Sequence, residues 1–239
     1  MQKQDYTEWI KIKDSADFGS FYNFALNVND TTLLHRCVDS LEKYKPTEPC
    51  IILRYYDYFD SDADSLIHGD FALEDQCGWY IDYLQRNLLK IIINRYDTVR
   101  VEYLGLRMDD YKKALFSLHD TTETTPYLPQ VKMVNYQSQT YLERKLGTFI
   151  YAHMSPDSMG FKTSWKRLIL VTKEVLQTIN EVKDKKALVI FGSPYKDLII
   201  EQKALIDELV PTFINIYFVD STFFRIPPPP PACSPLSHD

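Results

Sequence analysis

Ala187-Leu188-Val189-Ile190-Phe191-Gly192-Ser193-Pro194 is the stretch on which the fold turns: five apolar residues in a row, then a glycine, then a serine and a proline. Read locally, the run suits a buried strand, Gly192 a turn, Ser193 a helix N-cap and Pro194 the first helical residue. The spacing predicts a helix through Leu209, with Leu198, Ile199, Leu205, Ile206 and Leu209 on one side, stopped before Pro211. Phe213 to Val219 then alternates into a second strand. Strand, helix and strand make a βαβ unit, whose crossover is expected to be right-handed.

Upstream, Ser164 is placed to cap a helix bearing Leu168, Val171, Val175, Ile179 and Val182 inward, with Lys183 to Lys186 at its end. Val131 to Tyr136 reads as a strand. Leu142, Leu146, Phe149, Ile150 and His153 fall at helical spacing and are read as one helix face, ended by Ser155-Pro156-Asp157. Asp109 opens a short helix carrying Tyr111, Ala114, Leu115 and Leu118, and Thr98 to Leu104 alternates like a strand. Cys77, Ile81, Leu84, Leu88 and Ile91 suggest another helical stripe, preceded by a strand at Cys50 to Tyr56. The first 45 residues are helical in pattern, Asp30 capping the second of two helices.

The expected fold is therefore α/β: a three-layer arrangement with a mostly parallel sheet flanked by helices. Residues 1–225 form one domain with a helical N-terminal segment, 1–45, and residues 226–239 form an extended proline-rich tail.

Bulk composition bounds the function. A chain of 239 residues that is 45% hydrophobic can bury a substantial core. Its net charge of -6 is concentrated early, where residues 1–120 hold 21 acidic against 14 basic side chains. A clustered basic footprint for nucleic acid is not evident. Cys37, Cys50, Cys77 and Cys233 form no CxxC pair, which suits free thiols in a reducing compartment. With no apolar run long enough to span a bilayer and no signal-like N-terminus, the location expected is cytoplasmic or within an intracellular assembly, not secreted.

Only 7 residues are glycine whereas 17 are tyrosine. Scarce glycine disfavours phosphate-cradling loops, and abundant tyrosine suits protein contact surfaces. Two local constellations still bear on chemistry. Gly192, Ser193, Tyr195 and Lys196, with Asp220 and Ser221, would share a crevice beyond the carboxyl ends of parallel strands and could hold an anion. Asp60, Asp62 and Asp64 sit in an acidic run, Asp57 to Asp75, that holds seven acidic residues and no lysine or arginine. Such carboxylates can converge on Mg²⁺ or Mn²⁺, while a solvated acidic loop accounts for the same pattern. No Gly-x-Ser-x-Gly occurs and the histidines show no partner pattern; His153 reads as a satisfied or rim histidine.

The tail departs furthest from what folding alone explains. Phe224, Ile226 and the five prolines Pro227, Pro228, Pro229, Pro230 and Pro231 favour polyproline II. About ten residues there resemble peptide ligands of SH3 and WW domains, which implies a polyproline-binding partner; a rigid arm onto a neighbouring subunit and a solvated end with no role fit equally. The function expected is thus a non-catalytic interaction or assembly protein without a cofactor. The alternative is a metal-dependent phosphate- or nucleotide-handling enzyme using Mg²⁺ or Mn²⁺ at the carboxyl edge of the sheet.

Overall fold

The computed structural model describes residues 18–43, 51–56, 58–60, 65–67, 72–75, 85–104, 106–108, 110–121, 127–156 and 158–219. The proline-rich tail, 226–239, lies outside them. The first described elements are two helices, α1 (Phe18–Asn27) and α2 (Thr31–Leu41). Asp30 caps α2 as expected, its carboxylate accepting from the amides of Thr32 and Leu33.

Seven strands build the main sheet: β1 (Ile51–Tyr56), β4 (Ala72–Asp75), β5 (Leu88–Ile93), β6 (Val99–Tyr103), β7 (Leu106–Met108), β10 (Gly147–His153) and β11 (Phe213–Val219). Two hairpins stand beside it, β2 (Tyr58–Asp60) with β3 (Ser65–Ile67) and β8 (Val131–Tyr136) with β9 (Gln139–Arg144). The order in the main sheet is β4-β1-β11-β10-β5-β6-β7. Its three central strands, β11-β10-β5, run parallel, and the pairings outward of them are antiparallel. The sheet is mixed, and parallel pairing occupies its middle.

Three helices complete the described set: α3 (Tyr111–His119), α4 (Trp165–Phe191) and α5 (Ile200–Leu209). At 27 residues, α4 is about 40 Å long. No described helix is long and apolar enough to cross a membrane.

Alternation along the strands assigns the two sheet faces opposite characters. Leu89, Ile91, Ile93, Ile150, Ile214 and Ile216 share one face and are fully buried. They join one apolar core with Tyr22 of α1, Leu33 of α2, Leu115 of α3, Leu168 of α4 and Leu205 of α5. Every described helix therefore packs on this aliphatic face, and a helix layer on the opposite face has no member among the described residues. Trp165 anchors the centre, its ring 5.4 Å from Phe18 and 5.6 Å from Phe218. Tyr22 and Thr172 share a hydroxyl hydrogen bond of 2.9 Å beside it.

The strand expected at Ala187–Phe191 is instead the final stretch of α4, and Gly192 is its left-handed C-cap at φ 71°, donating to the Leu188 carbonyl. Exposure explains why. A buried central strand hides every residue, whereas here Ala187 is 0% exposed, Leu188 53% and Val189 78%. One-sided burial belongs to a helix surface. The helix also continues past Lys183–Lys186, where its end was expected. Ser193 does not cap the next helix, since a 3-10 turn at Tyr195–Asp197 intervenes and α5 starts at Ile200.

A crossover unit does exist, but it begins earlier: β10 and β11 are parallel neighbours, and α4 and α5 connect them. The helix expected across Leu142, Leu146, Phe149, Ile150 and His153 is replaced by β9 and β10. Leu88 and Ile91 belong to β5, not to a helix. β5 and β10 are buried on two faces, so their nearly continuous apolar runs satisfy helical spacing too, whereas β9 is mostly exposed.

Candidate functional site

The second face of the sheet is aromatic and polar. Phe149, Tyr151 and His153 of β10 stand in register with Asn215, Tyr217 and Val219 of β11. Tyr151 and Tyr217 stack with ring centroids 5.2 Å apart, and Phe149 lies 5.2 Å from Tyr217. Burial pushes the Tyr151 hydroxyl well above its ordinary pKa, with Tyr217 adding to the shift, so it stays protonated. Asn215 is fully buried, and its Oδ1 has no hydrogen-bond partner.

Across β5 the same face continues into β6 and β7. Ile92 stands opposite Arg100, and Glu102 opposite Arg107, so Arg100 and Arg107 are diagonal neighbours, Cβ atoms roughly 7 Å apart. At the carboxyl end of β5 and β10 a cavity of about 330 Å³ opens on this face. Ile92 and Val99 supply apolar wall; Asn94, Thr98, Arg100, Arg107 and His153 supply the polar groups. Among the described residues the lining contains no carboxylate, although the chain is acidic overall.

The rim is held by local hydrogen bonds. Asn94 Oδ1 accepts from the amides of Tyr96 and Thr98, each at 2.9 Å, an Asx turn that leaves its Nδ2 hydrogens to offer elsewhere. Asp97 takes a left-handed conformation, φ 59°, and its carboxylate accepts from the amide and hydroxyl of Ser164 at 2.8 and 2.7 Å. Ser164 is the N-cap of α4, as its position in sequence predicts. The turn framing the cavity is thereby fastened to the longest helix. Thr163 adds a hydroxyl bond to the Ile93 carbonyl at 3.0 Å.

The residues singled out from sequence lie elsewhere. Gly192, Ser193, Tyr195 and Lys196 follow the C-terminus of α4, where the carbonyl end of a helix disfavours an anion. The strand exit that would have made them a crevice is absent. Tyr195 is engaged by α4 and α5: its amide donates to Asp184 Oδ1 at 2.9 Å, and its hydroxyl reaches the Asp207 carboxylate at 2.7 Å. Asp60 ends β2, opposite Ser65 in the β2–β3 hairpin. Asp62, Asp64, Asp220, Ser221, Phe224, Ile226 and Pro227 to Pro231 lie outside the described residues. Among the described residues, no cluster of three metal-ligating side chains occurs.

Sequence reading passed over Arg100, Arg107, Asn94 and Thr98. The alternation of Thr98 to Leu104 already put Arg100 and Glu102 on one face, but the partner strands that make a cavity there were read as helices.

A second feature lies where α4 ends and α5 begins. Ala187, Leu198 and Ile206 form a small core cluster at this junction, with Ile190, Phe191 and Tyr195 packed against it. Leu188, Val189, Ile199 and Ile200 are 53, 78, 61 and 48% exposed. Lys185, Lys196, Asp197 and Glu201, close to them in sequence, are also exposed and carry both signs of charge.

No protein-family model matches the chain, and no curated protein or solved structure matches it.

Proposed function

We propose that this chain is a non-catalytic interaction protein, and that the apolar corner joining α4 and α5 is a surface on which a partner protein docks. The observation behind this reading is the exposure of four large aliphatic side chains, two at the end of α4 and two at the start of α5, with exposed charges of both signs near them in sequence. Apolar residues gathered in a patch with a polar rim have the anatomy of a protein interface. The partner fitting that chemistry is a protein segment presenting an apolar stripe flanked by charged residues. The proline-rich arm, with Phe224, Ile226 and Pro227 to Pro231, is a second contact on this proposal, its partner a polyproline-binding domain or a neighbouring subunit.

The test compares partners captured by the intact chain, by a Val189→Asp, Ile199→Asp variant, and by a chain truncated after Ile226. Both positions are exposed, so the double variant should keep the parent melting temperature. Loss of one identified partner from that variant supports the corner; loss from the truncation supports the arm. A partner set unchanged in both removes the proposal.

A further inference from the structure

We propose that the cavity at the carboxyl end of β5 and β10 binds a small phosphate monoester, its phosphate held by Arg107 and Arg100 and its organic group against Ile92 and Val99. The lining is selective in kind. Every charged group among its described residues is a guanidinium, and Asn94 Nδ2 and the Thr98 hydroxyl can add hydrogen bonds. Two forked guanidinium groups on one sheet face match the several oxygens and double charge of a phosphate monoester better than a monodentate cation would. The volume, about 330 Å³, lies at the small end of ligand pockets, which run about 300–1,000 Å³.

Arg100 is at present paired with Glu102 at 2.7 Å, the two side chains 51 and 23% exposed. An exposed pair of this kind contributes little, roughly 0–1 kcal/mol, so a dianion entering the cavity can take over the guanidinium. Glu102 itself does not line the cavity and should oppose the ligand by charge. Its removal ought to strengthen binding, whereas a purely structural role for Glu102 predicts no gain.

Position favours the same reading. Crevices beyond the carboxyl ends of parallel strands are where open α/β sheets take ligands, and β5 and β10 form one of the two parallel pairs here. The Asx turn and the Asp97–Ser164 bonds fix the rim before any ligand arrives, which lowers the ordering cost of binding.

The experiment titrates the full chain with phenyl phosphate, inorganic phosphate and phenol at constant ionic strength, following amide chemical shifts. Saturable binding is expected with phenyl phosphate, weaker binding with inorganic phosphate and none with phenol. The shifts should centre on residues 92–100 and 107. Arg107→Ala, at an exposed position, should weaken phenyl phosphate by roughly tenfold, as expected for losing charge-assisted hydrogen bonds. Arg107→Lys should fall between, and Glu102→Gln should tighten binding. No saturable shift with phenyl phosphate, or equal affinity in folded Arg107→Ala, overturns the proposal.

Discussion

Lys183 and Asp207 form an ion pair buried between α4 and α5, Nζ to Oδ1 2.7 Å, with side chains 1 and 5% exposed. Tyr195 completes it from the intervening 3-10 turn, its hydroxyl within 2.9 and 2.7 Å of the two carboxylate oxygens. The lysine nitrogen also stands 5.5 Å from the Tyr195 ring centroid. One lysine in a series that reads as a solvated helix end is therefore a polar rivet. It ties α5 to α4 beside the turn that joins them.

Breaking this pair from one side should cost more than removing it altogether. Asp207→Leu leaves a buried ammonium and should lower unfolding free energy by roughly 3–5 kcal/mol. Lys183→Met combined with Asp207→Leu should recover much of that loss. Urea denaturation of the single and double variants measures both. A double variant as unstable as Asp207→Leu alone would mean that Lys183 acts through packing and not through charge.

The contrast between Lys183 and Lys185 shows how far sequence reading reaches. Both sit in one basic run, yet Lys183 is buried and Lys185 exposed, because only Lys183 falls on the stripe with Ile179, Val182 and Ala187. Capping signals were legible at Asp30 and Ser164, which accept from the amides that open their helices, whereas the helix expected to open at Asp109 is capped by Asp110. β6, β8 and β11 were legible as well, since alternation or β-branched and aromatic content marked them. What escaped was any apolar run compatible with both periods. Ala187–Phe191 looked like a strand because five apolar residues run together before a glycine, while an uninterrupted helix leading into it decides the outcome. Phe149, Ile150 and His153 failed in the reverse sense. The cavity went unseen for the same reason, since it needs β5 and β10 side by side, and both were assigned to helices.

His119 predicts a pH dependence. It closes α3, 7% exposed, with no hydrogen-bond partner at Nδ1. Burial, then the positive charges of Lys186, Lys183 and Arg144, push its pKa down to about 4 from the usual 6.5. The folded state thus binds the proton less tightly than the unfolded chain does. Stability from this group is fully present above about pH 6.5, is lost as pH falls toward 4, and changes no further below that. Over that window the loss is about 3 kcal/mol. His119→Leu should therefore lose less stability than the parent between pH 7.5 and pH 4.5, by urea denaturation. Parallel declines in the two proteins would exclude a buried neutral His119.

Gly192 tests the reassignment of the apolar run most directly. At φ 71° it ends α4, and a Cβ built there meets no atom of the described residues within 4 Å. Space is available, so the penalty for Gly192→Ala comes from the left-handed backbone alone, about 1–2 kcal/mol. Gly192→Asn should cost less, because asparagine tolerates that conformation better. A glycine serving as a strand turn, in contrast, would sit against packed neighbours and reject both side chains more severely. Helix content by circular dichroism should change little in either variant, with the melting temperature falling further for alanine than for asparagine. Equal melting temperatures for alanine, asparagine and glycine would show that residue 192 does not adopt the left-handed cap, and α4 would then have to end before the Ala187–Phe191 run.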